Sequence, residues 1–109
     1  MGETLKTLGQ SSPAAATQVD LYTVPAATST TCSTLVVCNQ NGSKVKVRVR
    51  VRVAGAANDV KQFLLHDVDV LAHTSEFFTL GITLAATDVM SVQSDTTLTS
   101  FSLFGVELT

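Results

Sequence analysis

Lys44-Val45-Lys46-Val47-Arg48-Val49-Arg50-Val51-Arg52-Val53 alternates cation and valine without a break. Successive side chains of a strand point to opposite faces, so this period of two predicts a half-buried strand with valines inward and cations outward. Just before it, Cys32-Ser33-Thr34-Leu35-Val36-Val37-Cys38 is a second run rich in β-branched residues, and Gln40-Asn41-Gly42-Ser43 joins the two. Asn-Gly between two such runs signals a two-residue hairpin, because a type I′ turn needs positive φ at both central residues. That turn sets Gln40 opposite Ser43. Cys38, Val36, Thr34 and Cys32 then share the face of the inward valines, while Val37 stands beside Lys46 and Leu35 beside Arg48 on the cationic face.

Working outward, Ala54–Asp59 reads as a small-residue turn and Val60–Val70 as a strand, with Leu64, His66, Val68 and Val70 on its inner side and Leu65, Asp67 and Asp69 opposite. Phe78, Leu80, Ile82 and Leu84 alternate with polar residues or glycine in another strand. Val89–Gln93 forms a short one, and the last runs from about Thr97 to Leu108, with a β-bulge expected around Phe104-Gly105. Upstream, Val19–Val24 is a strand ended by Pro25. Residues 1–17 read as an extended N-terminal arm, which leaves 18–109 as the folded domain. The Ala-Ala-Thr triplets at 15–17, 26–28 and 85–87 read as unrelated small-residue loops. No segment keeps helical periodicity over three turns. About seven or eight short strands with turns between them predict an all-β antiparallel sandwich, immunoglobulin-like or jelly-roll.

Composition narrows the function classes. A chain of 109 residues builds one core. With 45% hydrophobic and 15% charged residues, intrinsic disorder is excluded. No apolar run approaches the roughly 20 residues of a membrane helix, so no membrane partner is expected. The N-terminal residues show no secretory signal, and Lys6 stands where a myristoylation signal needs Ser or Thr. Cys32 and Cys38, on one extended strand, lie roughly 20 Å apart, far beyond disulfide reach. They are expected to be buried thiols of a reducing compartment.

Catalytic groupings are scarce. His66 and His73 are the only histidines, and no spacing typical of a zinc site occurs. A nucleophilic Cys32 or Cys38 would need a neighbouring base that the sequence does not place. Asp67 and Asp69 share a strand face and are expected to pair with cations on the preceding strand. No catalytic residue, cofactor or metal is predicted. The feature with functional content is the basic stripe, which gathers five of the seven Lys and Arg residues into a +5 stretch and leaves −7 on the rest of a chain whose net charge is −2. Lys44, Lys46, Arg48, Arg50 and Arg52, with Leu35 and Val37 beside them, are the candidate partner-binding residues. The stripe suits an acidic protein surface, an anionic glycan or nucleic acid, or else stays solvated or internally paired. A net negative charge, a single Tyr and no Trp argue against nucleic acid.

Several strings carry a resemblance: Leu21-Tyr22-Thr23-Val24-Pro25-Ala26-Ala27-Thr28-Ser29-Thr30, then Leu35-Val36-Val37-Cys38-Asn39, Arg52-Val53-Ala54-Gly55-Ala56-Ala57, Thr79-Leu80-Gly81-Ile82-Thr83-Leu84-Ala85-Ala86-Thr87-Asp88-Val89 and Phe104-Gly105-Val106-Glu107-Leu108. Together they resemble small structural proteins of tailed bacteriophages, over nearly the whole chain. The resemblance implies a virion component without enzymatic activity, made in the host bacterial cytoplasm and assembled in many copies. A capsid decoration (cement) protein is the leading expectation: a dimer or trimer that binds the major capsid protein or other virion proteins through the stripe and stabilises the capsid surface, while the N-terminal arm reaches a neighbour. A tail connector or fibre-base component is the alternative within the virion. A glycan- or nucleic-acid-binding module using the basic face is the alternative outside it.

Overall fold

The computed structural model describes residues 2–109 and contains eight strands: β1 (Glu3–Ser11), β2 (Val19–Thr23), β3 (Ser29–Asn39), β4 (Val45–Arg52), β5 (Phe63–Val70), β6 (Ser75–Leu84), β7 (Val89–Ser94) and β8 (Thr99–Leu108). They form two antiparallel four-stranded sheets, ordered β1-β8-β3-β6 and β2-β7-β4-β5. Pairing is nested: β1 joins β8, β2 joins β7, β3 joins β6 and β4 joins β5, while β3–β8 and β4–β7 contacts complete each sheet. This is an antiparallel ribbon rolled into two layers, the jelly-roll solution among the predicted sandwiches. Only β4 and β5 are both consecutive and paired; every other connection crosses between sheets.

The predicted β3–β4 hairpin is therefore corrected. Neither Asn41 nor Gly42 has positive φ, so the type I′ turn cannot form. The residue that decides the path is Asn39, only 1% exposed. Its Nδ2 donates to the carbonyls of Ser43 (2.9 Å), Val70 and Leu71 (both 3.1 Å), and its Oδ1 accepts from the Asn41 backbone N–H at 2.9 Å. Asn41 Nδ2 in turn donates to Thr97 O at 2.6 Å. Three crossing loops are thus gathered at one end of the sandwich. A buried amide with every group satisfied outweighs a local turn preference. At the other end Asp88 works the same way, accepting from the backbone N–H groups of Ala54 (2.9 Å) and Ala85 (3.0 Å).

Residues 3–11, read from sequence as part of an arm, are instead β1, an edge of the first sheet paired with β8 along its length. The strand's only fully inward side chain is Leu8, at 9% exposure, so its hydrophobic pattern is too sparse to register as a strand. Phe101, Leu103, Leu35 and Val37 from one sheet meet Val45, Val47, Val49, Val70, Met90 and Val92 from the other, forming a core that excludes water. The alternation in β4 is borne out for Val45, Val47 and Val49, whereas Val53 leaves the strand and is 67% exposed.

The expected bulge at Phe104-Gly105 appears in the neighbouring strands. β8 keeps its period of two, and the extra residues are Leu8 on β1 and Ser33 on β3. Gly105 has no room for a side chain, because a Cβ there would lie 2.2 Å from Thr31 O. Two of the three Ala-Ala-Thr loops are related, while the third carries its positive φ at Thr87 instead. Ala16 and Ala27 take positive φ (54° and 56°), and Thr17 and Thr28 each donate a hydroxyl to the carbonyl two residues back, at 3.1 Å. Ala72-His73-Thr74 repeats the turn, with His73 at φ 52° and a 3.0 Å bond from Thr74 to Ala72 O.

Candidate functional site

The basic stripe lies on the outer face of the second sheet, and strand pairing brings acids to it. Lys44 and Lys46 reach Asp69 at 3.6 and 3.0 Å, and Arg48 Nε meets Asp67 at 2.7 Å. Beside these pairs β5 is irregular: its register with β4 shifts between Val47 and Val49, and Asp67 takes φ 54°. The extra residue reverses the strand's parity. Val68 and Val70 stay inward as predicted, but Leu64 and His66 turn outward and Leu65 turns in. The hydrogen bonds to Asp69 and Asp67 hold the Lys46 ammonium and Arg48 guanidinium more firmly protonated than usual. Those same bonds hold Asp67 and Asp69 below the ordinary carboxylate range.

The rest of the stripe is built into the fold. Arg50 is 9% exposed, with its guanidinium carbon 4.2 Å from the centre of the Phe63 ring. Arg52 donates to Asp20 at 2.8 Å, to Ser91 Oγ at 3.2 Å and to the carbonyls of Gly55 and Ala56 at 3.1 Å, clamping the turn that follows β4. Every cation of the stripe thus has a partner, and only Lys44 and Lys46 keep about half of their side-chain surface (53% and 50%). Leu35 and Val37 do not join them. Both are 0% exposed in the core of the opposite sheet, which removes them from any surface site. Their expected place beside the cations rested on a β3–β4 hairpin, and β3 lies in the other sheet.

The outer face of the first sheet is different in kind. Rows across its four strands read Thr7, Phe104, Thr34, Thr79 and Gln10, Ser102, Val36, Phe77. The next row adds Leu5, Val106, Thr31 and Thr83. Phe77 is 70% and Leu5 78% exposed. Among the described residues this face carries a single charged side chain, Glu3, at one corner. Sequence reading missed it because a Ser/Thr-rich strand looks merely solvated until its neighbours are known.

Joining the two sheets is a polar tie. Tyr22 on β2 donates its hydroxyl to Glu107 on β8 and shares a 2.8 Å bond with Thr30 on β3, while Lys6 reaches Glu107 at 3.1 Å. Burial, then the bond to Glu107, pushes the Tyr22 phenol up to about 12. Glu107 is held below the usual range by Tyr22 and then Lys6. Of the two free cysteines, Cys32 is buried, and burial pushes its thiol up to about 11; Cys38 is half-buried on the outer side of the first sheet. A shallow groove of about 720 Å³ lies between the chain termini and the loops at Ala27-Thr28 and Ala86. Among the described residues, no three His, Cys, Asp or Glu side chains converge as a metal site requires. Among the same residues, no helix is long and apolar enough to cross a membrane.

No protein-family profile and no curated protein matches the sequence. Solved structures do match in fold. A chain of the T13 infectious bursal disease virus particle superposes over 96% of this protein at 11% identity and a TM-score of 0.56, and one from the Gx strain of the same virus over 97% at 12% and 0.55. This protein spans about a third of those chains, 30% and 32%. A subunit of Bacillus endospore appendages, described as disulfide-linked pili, superposes over 99% of this protein and 85% of its own length, at 13% identity and a TM-score of 0.53. The chain shares its fold with subunits of a viral particle and of a pilus.

Proposed function

We propose that this protein is a non-enzymatic structural subunit of a tailed-bacteriophage virion, present in many copies as a capsid decoration protein. The observation that carries the reading is the use its fold makes of its polar side chains. The stripe, Asn39, Asp88 and the Tyr22–Glu107 tie serve to hold strands and loops together, while the chain's jelly roll is the one found in subunits of a virus particle and of a pilus. Repetition on a symmetric particle lets weak contacts sum, so no single deep site is required. Lys44 and Lys46, the half-exposed end of the stripe, are the groups left for an acidic surface on the major capsid protein.

A second reading places the subunit in the tail or a fibre base. It is favoured by the pilus subunit, whose length this chain nearly matches. Quantitative mass spectrometry of purified virions separates the two. Decoration predicts abundance close to that of the capsid protein, a tail position predicts roughly 3 to 18 copies per particle, and absence from the particle overturns both.

A further inference from the structure

We infer that the outer face of the β1-β8-β3-β6 sheet is a self-association surface, where two copies of this chain pack face to face. Edge-to-edge pairing is the other route by which β proteins associate, and here it is obstructed. Each of the four edge strands has a register break: Leu8 on β1, Leu21 on β2, the Asp67 region on β5 and the Gly81 region on β6. Bulges at edges twist the unpaired backbone groups out of line for another strand. The outer face of the opposite sheet has its charges matched within itself.

The first sheet's outer face has no such internal pairing to disturb. Its interior rows hold no charge, so a second copy laid on it brings no like charges into contact and leaves no ion desolvated. Phe77 and Phe104 supply rigid apolar area, and Thr34, Thr79 and Ser102 supply hydroxyls that donate or accept as the partner requires. Four strands of ten residues cover about 33 by 19 Å. Two such faces together bury roughly 1,200 Å², the lower end of the range for specific complexes, so the expected dimer is a weak one that dissociates on dilution.

The inference does not rest on the virion reading, because the purified chain alone tests it. Sedimentation velocity from low micromolar to millimolar protein should show a concentration-dependent monomer–dimer equilibrium. Phe77→Asp should weaken it tenfold or more by placing a carboxylate in the contact, and Thr79→Asp, an exposed position with no packing role, should do the same. Lys44→Gln on the other sheet should leave it unchanged. A chain monomeric at every concentration overturns the inference. So does an oligomer that survives both aspartate variants, since that assembly uses another surface.

Discussion

Tyr22 and Glu107 stand 85 residues apart in sequence on different sheets, and the phenol of one donates to the carboxylate of the other. The bond needs a neutral phenol and an ionised carboxylate, so folding favours one protonation state of each. Tyr22's pKa is raised, so its contribution is complete below about pH 10 and is lost as pH climbs toward 12. Glu107 is lowered. Its contribution is present above the ordinary carboxylate range and is lost as pH falls below it. The chain has one tyrosine, so its tyrosinate absorbance reports this group alone. The native titration should be displaced well above the free value, in step with alkaline unfolding. A midpoint near 10 would contradict the tie. Tyr22→Phe should cost about 1–3 kcal/mol, because Thr30 loses its partner and Glu107 keeps only Lys6.

Two glycines should differ sharply in their response to alanine. At Gly105 the added Cβ meets Thr31 O at 2.2 Å and Cys32 Cα at 3.1 Å, both backbone atoms of the adjacent strand. Gly105→Ala should lower stability in urea by about 3 kcal/mol or more, by prising β8 from β3. At Gly42 the nearest atom is 3.8 Å away and φ is not positive. Gly42→Ala should change stability by less than about 0.5 kcal/mol, whereas a type I′ hairpin would lose more.

Ala27 is held at φ 56° in an exposed turn. A left-handed alanine is strained by roughly 1–2 kcal/mol, and glycine is not. Ala27→Gly should therefore raise thermal stability by about 0.5–1 kcal/mol after the entropy of the more flexible unfolded chain is subtracted. A decrease would show that the turn does not hold this conformation.

Thiol chemistry should separate the cysteines. Cys38 is partly exposed, and Cys32 is buried with its pKa pushed up to about 11. A thiol reagent at neutral pH should modify one cysteine of the native protein, identified by peptide mapping as Cys38. Cys32 should react only on unfolding. Fast modification of Cys32 in native protein would contradict its burial.

The local parts of the structure were legible in the sequence, and the pairing was not. Alternation in β4 named its inward valines, and runs of β-branched residues located β2, β3, β6, β7 and β8 within a few residues. The pairing of Asp67 and Asp69 with the stripe was foreseen from their place beside it. What failed depended on pairing and on single extra residues. Leu35 and Val37 owed their place on the cationic face to a hairpin that does not form, since β3 and β4 lie in opposite sheets, and the break near Asp67 reversed the parity of His66. The Asn-Gly signal was a sound local preference defeated by a distant one, since Asn39 gains its partners only once β5 and β6 are in place. The uncharged face was invisible for the same reason: it is assembled from strands scattered along the chain.

The stripe and the uncharged face exist as separate surfaces because β3 and β4 lie in opposite sheets. Backbone nuclear Overhauser effects in isotopically labelled protein test that directly. The account predicts cross-strand contacts from Val37 to Phe101 and Glu76, and from Val49 to Val92 and Leu65. Contacts joining Val37 to Lys46 and Leu35 to Arg48 instead would restore the hairpin, return Leu35 and Val37 to the cationic face, and contradict the architecture.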